Sequence, residues 1–126
     1  MTIVISNIKT TPVLVPFRRP PVTASGAIGE LPLVLLDVET DVGLTGHAYL
    51  FVFLKSMLKP TMGCVAAIEE VVRGMSADPE QVDPLLRQRL RLLDIHGILG
   101  QVLAGLDMAL WDIRAKSEEL SLAKVL

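Results

Sequence analysis

The chain has 126 residues, of which 51% are apolar, a formal net charge of -2 and a single cysteine. This length predicts one domain with one core, which buries roughly two-thirds of the surface of the unfolded chain. The charge balance gives no basic footprint for nucleic acid, and one cysteine excludes an internal disulfide. The longest stretch without Asp, Glu, Lys or Arg, residues 42–54, is too short to span a bilayer.

The first residues, MTIVISNIKTTPVLVP, lack a basic region before an apolar run and a small-residue cleavage site. We therefore expect no secretory signal and a cytoplasmic protein. The mean hydropathy is +0.51 and only 21% of the residues are charged, which predicts more apolar surface than one small domain can hide. Such surface usually marks an interface with another domain or subunit.

Three segments have the features of β-strands. Pro12 and Pro16 suit an edge strand, because proline donates no hydrogen bond to a neighbour. The turn residues Asp41, Val42 and Gly43 connect the last two segments as an antiparallel hairpin. The sequence therefore predicts a three-stranded antiparallel sheet, formed by residues 3–15, 33–40 and 44–50. In the second strand we expect Leu33 and Leu35 to face the core and Glu39 to lie nearer solvent.

After Phe53 the apolar residues recur at helical spacing, which predicts three helices. We expect Pro60 and Gly63 to prevent an early start of the first helix. We expect Asp83 to cap the second helix, with Pro84 in its first turn. The predicted helices are centred on residues 66–75, 84–93 and 97–119. Strands followed by helices predict an α+β fold.

Few polar residues are spaced for catalysis. Asp37 and Glu39 share one face of a strand, so they could hold a metal or act as acid and base, or they could simply form the solvent face of a hairpin. His47 lies in an apolar strand, where we expect a neutral, hydrogen-bonded imidazole in preference to a general base. Asp112 can pair with Lys116 one helical turn later. Taken alone, these residues form no complete catalytic constellation.

Two motifs carry a resemblance to a known family. The pattern GxxGxxPLVLLDVxTxxGLTGHAYLF and the helix LDMALWDIRAK resemble the N-terminal capping domain of the mandelate racemase and muconate lactonizing enzyme family of the enolase superfamily. The resemblance implies an α+β domain, with a three-stranded antiparallel sheet followed by a helical bundle, that covers the mouth of a modified (β/α)8 barrel. It implies one capping domain over residues 1–126, with the catalytic barrel expected after residue 126 and missing from this chain.

The resemblance also implies a function. The longer enzyme would abstract the α-proton of a hydroxy-acid or acid-sugar carboxylate with the help of Mg2+, as a racemase or a dehydratase. The bases and the Mg2+ ligands would come from the barrel, so this chain would have no catalytic residue, no metal of its own and no activity alone. The implied partners are the protein's own barrel domain, a small carboxylate substrate and further copies of the protein in a homo-oligomer.

The family closes two loops over its substrate, and these correspond to residues 20–30 and 49–53. The resemblance thereby implies five substrate contacts, which are Pro21, Val22, Thr23, Phe51 and Phe53. If the second loop is extended, both phenylalanine rings project to one side and could contact the distal group of the substrate. Burial of both rings in the core is the alternative. For the whole chain, the alternative function is a non-catalytic oligomerisation or binding domain.

Overall fold

A computed structural model describes residues 2–126 and confirms the α+β fold. The five strands are β1 (Ile5–Pro16), β2 (Val22–Thr23), β3 (Gly26–Ala27), β4 (Glu30–Thr40) and β5 (Thr45–Phe51). A short 3-10 helix, Lys55–Met57, precedes the helices α1 (Leu58–Val72), α2 (Pro79–Arg89), α3 (Ile98–Ser117) and α4 (Leu122–Val125). The described residues form a sheet covered by helices and contain no barrel.

The three predicted strands form one antiparallel sheet in the order β1-β4-β5. The strands β1 and β4 pair along their whole length, from Ile5 with Thr40 to Pro16 with Glu30. The sheet is therefore longer than predicted on the β1–β4 side. The small hairpin β2–β3 lies between the ends of these two strands, at one end of the sheet.

The prediction of which β4 residues face the core was wrong. Val34, Leu36 and Val38 are buried, whereas Leu33 is half-buried and Leu35 is exposed. Successive side chains of a strand point to opposite faces, so an error of one residue reverses the assignment. Up to Leu36 the residues on both faces of this strand are apolar, so the alternation of side chains alone does not show which face is buried.

The face of the sheet away from the helices is unusually apolar at the β2–β3 end. The strand register places Leu35 between Thr11 and Tyr49, and Leu33 between Val13 and Phe51. Tyr49 is 59% exposed. We call this surface the outer sheet face; it consists of Thr11, Val13, Val15, Leu31, Leu33, Leu35, Tyr49 and Phe51. An open sheet face is normally polar, so this one is suited to an interface.

Two helix starts differ from the prediction. The helix α1 begins at Leu58, before Pro60, because the amide that proline lacks has no helical partner in the first turn. The helix α2 begins at Pro79, and the Asp78 carboxylate caps it by accepting the Glu80 N–H at 3.0 Å. The expected cap at Asp83 was therefore wrong, since Asp83 and its following proline lie inside α2.

The third predicted helix is confirmed within two residues at each end, as α3. It packs on β4 and β5 at very short range, because glycines lie at the contact, Gly46 on β5 and Gly105 on α3 itself. A Cβ atom on Gly105 would lie 2.5 Å from Cδ2 of Leu50 and 2.9 Å from Cδ1 of Leu36. The glycines therefore fix how closely the helix approaches the sheet.

None of the helices in residues 2–126 has the length and apolar character needed to cross a membrane. Cys64 lies in α1 and is half-buried, and this burial raises the pKa of its thiol. A raised pKa disfavours the thiolate, which agrees with a packing role and not with a nucleophile.

Candidate functional site: a groove at the hairpin end of the sheet

The β2–β3 hairpin is held together by its own turn. The Thr23 hydroxyl donates to the carbonyl oxygen of Gly26 at 2.9 Å and accepts the N–H of Ser25 at 3.1 Å. Gly26 has φ +114°, a conformation that favours glycine. Below the turn, the Ile28 N–H donates to the Pro21 carbonyl at 2.9 Å. The hairpin is thus ordered locally, although residues 21–27 are all exposed.

Two phenylalanine rings lie at the same end of the sheet, Phe51 as the last residue of β5 and Phe53 two residues later. The Phe51 and Phe53 ring centroids lie 4.2 Å apart with an angle of 30° between the planes. Val52 between them is buried, and Phe53 is 57% exposed with φ +63°. The two rings therefore lie side by side, although the segment is not extended as the prediction assumed, because Phe53 has a left-handed backbone. Burial of both rings in the core is wrong, because more than half of the Phe53 side chain is accessible.

A groove of about 700 Å3 separates the hairpin from the segment that follows β5. We call it the hairpin groove. Most of its walls are apolar, and its charged groups are Glu30 and Lys55. The lining residues are Leu14, Thr23, Ser25, Gly26, Ala27, Ile28, Gly29, Glu30, Pro32, Phe53, Leu54 and Lys55. A mostly apolar concavity with a few polar groups is typical of small-molecule sites.

The five implied contact residues do not all line this groove. Thr23 and Phe53 are in its wall. Phe51 is outside the lining, and its ring stacks on the Phe53 ring. Pro21 and Val22 are exposed on the hairpin outside the lining. The structure adds apolar wall residues that the sequence motifs did not indicate, notably Leu14 and Leu54. The β1–β4 register that brings Leu14 to the groove was not visible in the sequence.

The polar residues considered for chemistry lie elsewhere, on the outer side of the sheet and on α3. The His47 imidazole Nδ1 lies 2.7 Å from the Asp37 carboxylate, as the register of β4 and β5 requires. The hydrogen bond expected for His47 is thus present, with Asp37 on the neighbouring strand as its partner. The expected Asp112–Lys116 pair is confirmed at 2.8 Å. The Asp112 carboxylate also accepts the backbone N–H of His47 at 2.9 Å, which ties α3 to β5.

These contacts describe structural pairs and not a metal centre. Within residues 2–126, no three His, Cys, Asp or Glu side chains lie close enough together to hold a metal ion. Burial raises the pKa of Asp112, but hydrogen bonds from Lys116 and from the His47 amide outweigh it and hold the pKa below its usual range. The carboxylate is thus fixed in its charged form by neighbours that stabilise the fold.

The fold defines the class of protein: an α+β domain in which the small β2–β3 hairpin and the segment after the last strand enclose a groove at one end of the sheet. A family model described as "Mandelate racemase / muconate lactonizing enzyme, N-terminal domain" matches residues 5–126. The chain therefore belongs to this family, as the two motifs predicted.

Solved structures agree with this assignment. An enolase from Bradyrhizobium, complexed with magnesium and mandelic acid, shares 34% identity at a TM-score of 0.92 over 99% of this chain. An enolase with bound magnesium from the alpha-proteobacterium BAL199 shares 26% identity at 0.91 over 98%. An L-talarate dehydratase from Polaromonas, complexed with Mg and L-glucarate, has 21% identity and a TM-score of 0.84 over 98%, which shows the common fold. The chain spans about a third of each of these proteins, 35%, 34% and 35% respectively.

Proposed function

We propose that this chain is the substrate-capping and specificity domain of a larger enzyme that removes the α-proton of a carboxylate substrate with the help of Mg2+. The observation that carries the proposal is the exposed Phe53 ring at the wall of the hairpin groove, which stacks on the half-buried Phe51 ring. An exposed aromatic ring with a left-handed backbone at Phe53 costs stability, and such costs persist mainly where the geometry serves a function. The Bradyrhizobium enolase binds magnesium and mandelic acid, which supports the same kind of ligand for this protein.

In this proposal the domain supplies shape and apolar contact, and the rest of the enzyme supplies the reacting groups. The Phe53 ring and the hairpin close the groove over the distal part of the substrate. Closing such a lid excludes water and strengthens the electrostatic interactions at the reacting centre. Thr23 keeps the hairpin turn intact, since its hydroxyl bonds two backbone groups. Pro21 and Val22 contact the substrate only if the hairpin folds further over it.

The residues that line the hairpin groove favour a hydroxy acid over an acid sugar as the substrate. The Thr23 hydroxyl is already used within the turn, so Ser25, Glu30 and Lys55 are the polar side chains that the groove offers to a ligand. A polyhydroxylated chain would leave several hydroxyl groups unpaired there, at a cost of about 1–3 kcal/mol each. We therefore propose a hydroxy acid with an apolar distal group as the substrate class.

The experiment uses a chimera in which this chain replaces the matching N-terminal third of the Bradyrhizobium enolase. Phe53→Ala should reduce kcat/KM for α-hydroxy acids with a large distal group by about tenfold, equivalent to ~1.4 kcal/mol of binding lost in the transition state. It should leave small substrates nearly unchanged. Leu92→Ala is the matched control, because Leu92 is 94% exposed and outside the groove. An equal loss for all substrates, or a large loss of thermal stability, would remove Phe53 from the site.

We also propose that the 126-residue chain alone is inactive and binds no Mg2+ tightly. Calorimetric titration of the isolated chain with Mg2+ tests this directly. Micromolar binding at a defined stoichiometry would contradict the assignment of the metal chemistry to the rest of the enzyme. The alternative function, an oligomerisation domain, is favoured by the apolar outer sheet face, and its test is described with the predictions in the Discussion.

A further inference from the structure

The connection between β1 and β2 carries two arginines beside the hairpin groove. Arg18 and Arg19 are both exposed. Backbone hydrogen bonds tie the chain to the hairpin on either side of them, through the Phe17 N–H at 3.2 Å and the Pro21 carbonyl at 2.9 Å. The two arginines therefore stay next to the hairpin that forms one wall of the groove.

Two lysines lie on the other side of the same groove. Lys55 lines it, and Lys59 follows four residues later in the first turn of α1. Both lysines also line a mostly apolar concavity of about 730 Å3, which adjoins the hairpin groove at Lys55. The side chains of both are exposed. Among residues 2–126, no carboxylate forms an ion pair with either lysine or with Arg18 or Arg19.

This end of the sheet is positively charged, although the chain as a whole is negative. Residues 16–30 and 51–59 contain four basic residues and one acidic residue, Glu30, which gives a local formal charge of +3 against -2 for the chain. The next carboxylate along β4 is that of Asp37, about 23 Å from Glu30 at the usual rise per residue. This distance exceeds two Debye lengths at physiological salt, so the acidic residues at the far end of the sheet do not neutralise the hairpin end.

The helical side of the molecule does not offset this charge either. The helix α3 begins at the same end of the sheet, because the Gln101 side-chain N–H donates to the Phe51 carbonyl at 3.2 Å. The segment before α3 carries Arg89, Arg91 and Asp94. Two positive charges and one negative charge add no net negative charge to this end.

We infer that the hairpin end attracts small carboxylate anions from solution and concentrates them at the hairpin groove. The inference rests on the proposed function in one respect, that the substrate of the enzyme is a carboxylate. A cleft with charges of one sign and apolar walls focuses the electric field, which raises the local concentration of an oppositely charged ligand and its association rate. The apolar lining of the hairpin groove and the four unpaired basic residues beside it provide this arrangement. The domain thus increases the rate of substrate capture in addition to shaping the site.

The first experiment measures the charge near the surface of the isolated chain by NMR. Two nitroxides that share one ring, one with a carboxylate and one with a neutral carboxamide, are added in turn, and the broadening of each amide signal is compared. We expect the anionic nitroxide to broaden the signals of residues 22–29 at least about twofold more than the neutral one. At residues 38–43, which include Glu39 and Asp41, we expect no excess.

The double variant Arg18→Gln, Arg19→Gln should remove at least about half of the excess broadening at the hairpin. The matched control is Lys9→Gln, Lys124→Gln, which removes the same charge from exposed lysines elsewhere. Lys9 pairs with Asp37 in the strand register, and Lys124 lies in α4, beyond the end of α3. This control should leave the hairpin signals unchanged. Equal broadening by the two nitroxides at the hairpin, or an equal effect of both double variants, would overturn the inference.

The second experiment measures kcat/KM for carboxylate substrates in the Bradyrhizobium chimera. At an ionic strength of about 0.01 M, the double variant at positions 18 and 19 should lower kcat/KM about fourfold without changing kcat, as two charges roughly 10 Å from the ligand predict. The difference should disappear near 1 M salt, where the Debye length is about 3 Å. A loss that is the same at both salt concentrations contradicts long-range attraction. If the chimera converts no carboxylate, the proposed function fails, and the nitroxide comparison still decides whether the hairpin end attracts carboxylates.

Discussion

Gly46 allows α3 to pack directly on β5, and adding one methyl group there is the sharpest test of the fold. A Cβ atom at this position would lie 2.7 Å from Cγ1 of Ile113 and 2.9 Å from the carbonyl carbon of Ala109, and it would overlap the Ala109 carbonyl oxygen. Carbon atoms in contact ordinarily lie about 3.5–4.0 Å apart. In Gly46→Ala the helix must therefore move away from the sheet by roughly 1 Å.

The size of the effect follows from what obstructs the methyl group. Overpacking against side chains costs about 1–3 kcal/mol. Here the main obstacle is the backbone of a 20-residue helix, which cannot change rotamer and must move as a body. The buried residues that α3 places on the sheet, among them Val102, Leu106 and Ile113, then lose contact together. We expect Gly46→Ala to reduce the free energy of unfolding by at least about 3 kcal/mol, out of a typical total of about 5–15 kcal/mol.

The assay is urea unfolding of the isolated chain, followed by far-ultraviolet circular dichroism. Gly63→Ala is the matched control, because a Cβ atom at Gly63 in α1 has no heavy atom within 4 Å. This control should gain about 0.5–1 kcal/mol from helix propensity. A loss below about 1 kcal/mol for Gly46→Ala would refute the close contact between α3 and β5.

Four further predictions concern stability and association. Burial raises the pKa of Asp112 but Lys116 and a backbone N–H lower it more, so its stabilising effect is present above pH ~4 and is lost as the pH falls; Asp112→Asn should cost about 1 kcal/mol at pH 7 and progressively less in acid. Burial raises the pKa of Asp107, so the charged carboxylate destabilises the fold at pH 7. Asp107→Asn should therefore be more stable than the wild type at pH 7, by more than at pH 3. Urea unfolding of Asp107→Asn and of the wild type at both pH values tests this. Phe53→Gly should be more stable than Phe53→Ala by about 1 kcal/mol, because φ at this position is +63°, and equal stabilities would refute the left-handed backbone. The isolated chain should self-associate through the outer sheet face, and Tyr49→Glu should shift its sedimentation towards the monomer; a wild-type chain that is monomeric at high concentration would contradict this.

The sequence predicted the sheet and α3 well because each carries a strong local signal. A turn with Gly43 between two apolar runs specifies a hairpin, and α3 combines helical periodicity with a glycine before its first residue. The start of α2 was missed because two Asp-Pro pairs, at residues 78–79 and 83–84, offer the same capping chemistry. The pairing of Arg114 with Asp78 and Glu80 favours the first pair, and this contact joins residues distant in sequence.

The candidate site depends on such distant contacts even more strongly, which is why the motifs located its loops but only part of its lining. The hairpin groove forms where the ends of β1 and β4 and the segment after β5 meet, so its walls come from three separate parts of the chain. Leu14 belongs to it only because β1 pairs with β4 as far as Pro16 and Glu30. Phe53 belongs to it because a left-handed backbone turns the chain away from the sheet immediately after Val52 is buried. A change that shortens the β1–β4 pairing should therefore alter ligand selection without touching any residue that a motif would identify.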